Sequence, residues 1–147
     1  MKLSNLLANI EYTVINDGNP EITDIIYDSR KVTDGTAFVC LKGYTSDGHK
    51  YAQSAVEKGA AALIISDNLS FDVPKNVAVI KVENTRKALA YMSAEFFGRP
   101  AEKLKTIAIT GTKGKTTTTA MIASILECAG IKTGTIGTLG ILYDGKV

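Results

Sequence analysis

The chain has 147 residues, of which 45% are hydrophobic and 22% charged, with a formal net charge of +2. This composition fits a globular protein that buries a core, in one domain or two small ones, and excludes disordered and collagen-like classes. Both signs of charge are scattered, no apolar run reaches membrane length, and Met1-Lys2-Leu3-Ser4-Asn5 lacks a secretory leader. Nucleic-acid binding and membrane insertion are therefore not expected, and no obligate protein partner is; the chain reads as cytoplasmic.

Leu3, Leu6, Leu7 and Ile10 recur at helical spacing and predict a short opening helix. Asp17-Gly18-Asn19-Pro20 predicts a turn, and residues 22–27 and 37–41 read as strands. Ser46-Asp47-Gly48 offers helix-start residues ahead of a stripe of Tyr51, Ala52, Ala55 and Val56 that stops at Gly59. The apolar runs 61–65 and 77–82 predict two further strands. Alternation of strand and helix argues for an α/β domain over residues 1–83. Cys40 sits in one apolar run and Cys128 near the end of a later helix; two isolated cysteines make neither a disulfide framework nor a zinc spacing.

A second unit is expected over residues 84–147. Asn84-Thr85 is a candidate helix cap, Ala88, Leu89, Met92 and Phe96 share one face, and Gly98-Arg99-Pro100 ends the helix. Next comes the apolar run Ile107-Ala108-Ile109, expected as a strand, leading into Thr110-Gly111-Thr112-Lys113-Gly114-Lys115-Thr116-Thr117. A strand entering a glycine-rich turn, followed by Gly-Lys-Thr opening a helix, is a phosphate-holding pattern. The backbone N–H groups of Gly111, Thr112, Lys113, Gly114, Lys115, Thr116 and Thr117 would cradle phosphate oxygens. Lys115 would reach the outer phosphates of a nucleotide as a point charge, and the Thr116 hydroxyl is placed to join the shell of a Mg²⁺ ion. Ile109 stands where a standard Walker loop has its first glycine, so this is a shorter variant. The helix is predicted over 115–129, with Met121, Ile122, Ile125, Leu126 and Ala129 facing inward. Short strands are expected near 135–136 and 139–143.

Three features together resemble the Mur ligases of bacterial cell-wall synthesis, in particular their MurE branch. The first is Tyr27-Asp28-Ser29-Arg30-Lys31-Val32 with Gly35, Phe38, Gly43, Asp47-Gly48-His49 and Gly59-Ala60. The second is the phosphate loop, with Lys113 in place of the family's usual Asn. The third is Gly134-Thr135-Ile136-Gly137-Thr138-Leu139-Gly140. The resemblance implies a small N-terminal α/β uridine-nucleotide-binding domain, followed by the start of a parallel-sheet P-loop ATP-binding domain. It further implies an ATP-dependent amide ligase acting on UDP-N-acetylmuramoyl-L-alanyl-D-glutamate through an acyl phosphate. The added amino acid would be meso-diaminopimelate in preference to L-lysine.

By the same resemblance Tyr27, Ser29 and the loop Gly43-Tyr44-Thr45-Ser46 would contact the uridine nucleotide, Lys115 would be the catalytic residue, and Thr116 the metal ligand. The family's carboxylated lysine, metal-binding glutamate and C-terminal domain have no counterpart up to Val147. The chain therefore reads as the front part of a larger enzyme, inactive alone. The alternatives are a MurF-like or folylpolyglutamate-synthase-like ligase, or a UDP-sugar-binding module without catalysis. From the residues themselves, Arg30 is expected to pair with Asp28, and His49, the only histidine, to pack or cap rather than catalyse.

Overall fold

A computed structural model describes residues 1–43 and 46–143. The chain separates into two compact units, Met1–Leu104 and Lys105–Val147.

The first unit is built on a five-stranded sheet in the order β1-β5-β4-β3-β2. Its strands are β1 (Thr13–Asn16), β2 (Ile25–Ile26), β3 (Ala37–Val39), β4 (Ala62–Ile65) and β5 (Ala78–Lys81). β2, β3, β4 and β5 run parallel to their neighbours, and β1 adds to β5 antiparallel. Successive side chains of a strand point to opposite faces. Ala37, Val39, Ala62, Ile64, Ala78 and Ile80 therefore form one face, which packs against Leu3, Leu6, Ala88 and Met92 of α1 (Leu3–Leu6) and α3 (Thr85–Phe96). Phe38, Leu63, Ile65 and Val79 form the other, under Ala52 and Ala55 of α2 (Ala52–Glu57). Because helices cover both faces, the central strands read in sequence as continuous apolar runs rather than alternating ones.

Local chemistry fixes the ends of these elements. Asn84 caps α3, its side-chain oxygen accepting from the Lys87 amide at 3.0 Å. Gly98 (φ +70°) and Arg99 (φ +52°) then turn the chain out of the helix in left-handed conformations. Between Val14 and Asn16 the β1–β5 register shifts, and the Asn16 side chain donates to the carbonyls of Val77 (2.6 Å) and Pro74 (3.1 Å).

In the first unit two sequence expectations need correction and one strand went unread. The unit boundary falls after residue 104, not 83, because α3 supplies Ala88 and Met92 to the first core. The strand expected over 22–27 pairs only at Ile25–Ile26. Upstream, Ile22 and Thr23 donate to the carbonyls of Met1 and Gly35 instead. β1 was not anticipated, since its Thr-Val-Ile-Asn run is short and largely exposed, as suits an edge strand.

In the second unit α4 (Lys115–Cys128) is followed by a hairpin of β6 (Gly134–Gly137) and β7 (Gly140–Tyr143), closed by the two-residue turn Thr138-Leu139. The hairpin is antiparallel, and the run 107–109 pairs with no strand among the described residues, so the parallel sheet expected here is not formed by them. Of the expected inward face of α4, Ile122 and Leu126 are half-buried while Met121, Ile125 and Ala129 are exposed. No helix among the described residues is long and apolar enough to cross a membrane.

Candidate functional site

The phosphate loop lies wholly in the second unit. Gly111 (φ +151°) and Gly114 (φ +77°) both take positive φ, and Gly114 leads directly into α4. Added Cβ atoms would meet nothing within 4 Å at Gly114 and only the Lys113 carbonyl, at 3.6 Å, at Gly111. Glycine is therefore used at 114 for its backbone conformation, with open space around it. Residues 110–118 are exposed throughout, and the amides of Lys115, Thr116 and Thr117 in the first turn of α4 can face a ligand, Thr118 already donating to the Gly114 carbonyl at 2.9 Å.

Lys115 Nζ donates to the Gly111 carbonyl at 2.6 Å and thereby closes the loop on itself. Thr116 Oγ1 lies 3.4 Å from Thr138 Oγ1, so the hairpin turn comes to the phosphate loop. Thr138 was recognised in the sequence only as part of a distinguishing segment; nothing in its spacing marked it as a neighbour of Thr116. Thr119 Oγ1 donates to the Lys115 carbonyl at 2.8 Å, a structural use within the helix. A flexible cationic side chain, a hydroxyl and an open glycine-rich backbone fit a magnesium nucleotide: Lys115 suits the outer phosphates and Thr116 the metal.

The uridine-nucleotide candidates lie in the first unit, at the carboxyl end of its parallel strands. Tyr27 and Ser29 follow β2; Gly43 and Ser46 follow β3; the two strands are parallel neighbours in register from Ile25/Ala37 to Ile26/Phe38. Such an end is where open α/β sheets take ligands. Tyr27 is 62% exposed and available for contact. The Ser29 carbonyl accepts from Lys58 Nζ at 2.7 Å, which fixes the turn. Arg30 grips Asp28 through two bonds, Nε to Oδ1 at 2.9 Å and Nη2 to Oδ2 at 2.7 Å, as expected from sequence. The Arg30 side chain, then its amide, holds the Asp28 carboxyl well below the usual carboxylate range.

The Gly43 amide donates to the Ser46 carbonyl at 2.8 Å, and the backbones of Lys42 and Asp47 pair as an isolated antiparallel β-bridge. A Cβ at Gly43 would meet the Ser46 carbonyl oxygen at 2.9 Å, so this turn needs glycine. Tyr44 and Thr45, named as contacts from the sequence, lie outside the described residues. Sequence reasoning missed the supports of this loop. Arg86 Nη2 donates to the Lys42 carbonyl at 3.1 Å, and Lys42 Nζ lies 3.4 Å from Asp67 Oδ2. These residues come from separate elements, so only the fold brings them together.

The sequence matches the description "Mur ligase family, catalytic domain" over residues 21–97 and "Mur ligase middle domain" over residues 109–145. It is 50% identical over 148 residues to the UDP-N-acetylmuramoyl-L-alanyl-D-glutamate--2,6-diaminopimelate ligase of Clostridium perfringens, covering 99% of this chain and 30% of that protein. The enzyme of the same name from Geobacillus kaustophilus is 46% identical, with 96% and 28% covered. The chain thus spans about 30% of the length of these curated relatives. Among solved structures, MurF from Acinetobacter baumannii superposes with a TM-score of 0.66 at 33% identity, over 85% of this chain and 27% of that one. MurF ligase from Thermotoga maritima in complex with ADP gives 0.53 at 27% identity, over 71% and 23%. With a family match across more than half its length, and the phosphate loop and hairpin falling inside the second match, the chain belongs to the Mur ligase family.

Proposed function

We propose that this chain is the N-terminal portion of a ligase that joins meso-diaminopimelate to UDP-N-acetylmuramoyl-L-alanyl-D-glutamate at the expense of ATP. The observation that carries the reading is the 50% identity over 99% of the chain to a diaminopimelate ligase. The MurF structures share the fold at lower identity, and the segment Gly134–Gly140 favours the diaminopimelate enzymes over them.

Residues 1–104 bind the uridine nucleotide through Tyr27, Ser29 and the Gly43–Ser46 loop. Residues 105–147 supply the phosphate loop, in which the backbone of Gly111–Thr117 cradles the phosphates. Lys115 exchanges its Gly111 carbonyl for phosphate oxygens and stabilises the negative charge that builds as the phosphoryl group moves. Thr116 holds Mg²⁺, which screens the phosphates. ATP supplies the phosphoryl group that turns the D-glutamate γ-carboxylate into an acyl phosphate open to attack by the amine. The protein acts where peptidoglycan precursors are made, in the cytoplasm.

The test uses a chain of the relatives' full length with UDP-N-acetylmuramoyl-L-alanyl-D-glutamate, Mg-ATP and either amino acid. Phosphate release that depends on meso-diaminopimelate is the expected result. Release with L-lysine alone would overturn the choice of amino acid, and no release with either would overturn the activity.

A further inference from the structure

The sequence gives His49 no role in the chemistry, yet it is the most heavily bonded side chain near the Gly43–Ser46 loop. Its side chain is only 8% exposed. Nδ1 lies 2.6 Å from Asp47 Oδ1. On the other side of the ring, Nε2 accepts from the Ser66 amide at 3.0 Å and the Asp67 amide at 3.2 Å, with Ser66 Oγ at 3.4 Å. Two backbone donors facing Nε2 require its lone pair there, so the ring hydrogen sits on Nδ1 and donates to Asp47. Asp47, His49 and Asp67 offer ligand atoms within 4.8 Å of one another, but both ring nitrogens are already committed, so the trio is a hydrogen-bonded knot and not a cation site.

The knot joins two chain segments that the sheet alone leaves separate. Asp47 follows the Gly43–Ser46 loop and pairs with Lys42 through a backbone β-bridge, while Ser66 and Asp67 directly follow β4. Gly48 brings the chains this close: its amide donates to the Leu41 carbonyl at 2.8 Å, and a Cβ there would lie 2.7 Å from the Leu41 nitrogen.

We propose that His49 is a positioning residue for the uridine-nucleotide loop. With its hydrogen on Nδ1 and its lone pair on Nε2, the ring pins the exit of that loop, at Asp47, to the end of β4. The charged groups facing the ring are the carboxylates of Asp47 and Asp67 and the Lys42 ammonium paired to Asp67, with the buried Cys40 thiol near Asp47. The inference rests on Gly43–Ser46 being a uridine-nucleotide loop.

The test combines ¹⁵N NMR of the ring, amide exchange and UDP-sugar titration, on wild type, His49→Ala, His49→Gln and Gly43→Ala. In wild type Nε2 should be unprotonated at neutral pH, and the Ser66 and Asp67 amides that donate to it should be protected from exchange. An Nε2-protonated ring at neutral pH overturns the proposal without need of any variant. His49→Ala should speed exchange at Ser66 and Asp67 and weaken binding of UDP-N-acetylmuramoyl-L-alanyl-D-glutamate by roughly tenfold, the scale of two lost hydrogen bonds, with Mg-ATP affinity unmoved. His49→Gln, which can still accept from one amide, should recover part of that loss. If Gly43→Ala weakens UDP-sugar binding and His49→Ala does not, the loop reading stands and the role of His49 is refuted. If neither variant alters it, the loop reading itself fails and takes the proposal with it.

Discussion

The two units of this chain treat their apolar residues in opposite ways. In residues 1–104 Phe38, Leu63, Ile64 and Met92 are sealed between a sheet and helices on both its faces. In residues 105–147 Met121, Ile125, Ile136, Leu139 and Ile141 are all more than 60% exposed. Both units carry apolar stripes in their sequence; only the first covers them. One helix and a two-stranded hairpin cannot close over an apolar stripe, whereas a five-stranded sheet with three helices can. Amphipathic spacing therefore states which face seeks burial, and topology decides whether it is found.

The sharpest test of this contrast uses the two thiols. Cys40 is fully buried and its thiol is pushed up to about 12, by burial first and then by the Asp47 charge, while Cys128 is exposed. With a thiol reagent near pH 8, Cys128 should react roughly a thousandfold faster or more, because Cys40 becomes reachable only on unfolding of the first unit. Similar rates would break the comparison.

Core truncation comes next. Phe38→Ala should cost about 3–5 kcal/mol in denaturant melts. Ile125→Ala, already 66% exposed, should stay within about 0.5 kcal/mol. An equal loss at Ile125 would mean that the second unit has a core these contacts do not reveal.

Lys115→Ala should leave the melting temperature unchanged, since the side chain is exposed. In a chain of the relatives' length it should weaken Mg-ATP binding by about 1.5–3 kcal/mol, the worth of a charged hydrogen bond, measured by calorimetric titration. Asn84→Ala removes the cap of α3 and should cost about 1 kcal/mol. Because α3 belongs to the first unit, that loss should appear in the transition of the first unit; a shift confined to the second would restore the boundary after residue 83.

The smallest effect concerns acid. The Asp47 carboxyl is lowered, mainly by the His49 amide and then by its ring. A lowered carboxylate contributes stability above its unfolded value near 4, and this is lost as pH falls through the folded value. Asp47→Asn should therefore lower the melting temperature modestly at neutral pH and flatten its fall on the acid side, the two proteins converging at low pH. A steeper acid fall in the variant would contradict it.

Much of this architecture was legible before any coordinates. The runs 37–41, 61–65 and 77–82 announced buried strands because both faces of the sheet are covered, and Asn84 announced a helix start through its capping oxygen. The Asp28–Arg30 pair was readable because its partners are two residues apart. Apart from the short strands β1 and β2, the misses share a cause. The placement of α3 on the first core, the Arg86–Lys42 and His49–Ser66 ties, and the approach of Thr138 to Thr116 all join residues far apart in the chain. Periodicity is a local signal and carries no information about them. The run 107–109 shows the converse, an apolar segment whose strand pattern is plain although none of the described residues pairs with it.

The shifted register at Asn16 has a consequence for how molecules of this protein meet. An open strand edge is a template on which a neighbouring chain can continue the sheet. One edge here is β1, where the register shift falls just as Asn16 turns its amide onto Val77 and Pro74; the other is β2, only two residues long. Neither offers a straight run of unpaired backbone. The sheet carries its own terminators, so at high concentration the first unit should resist fibre growth, and straightening β1 would remove one of the two stops.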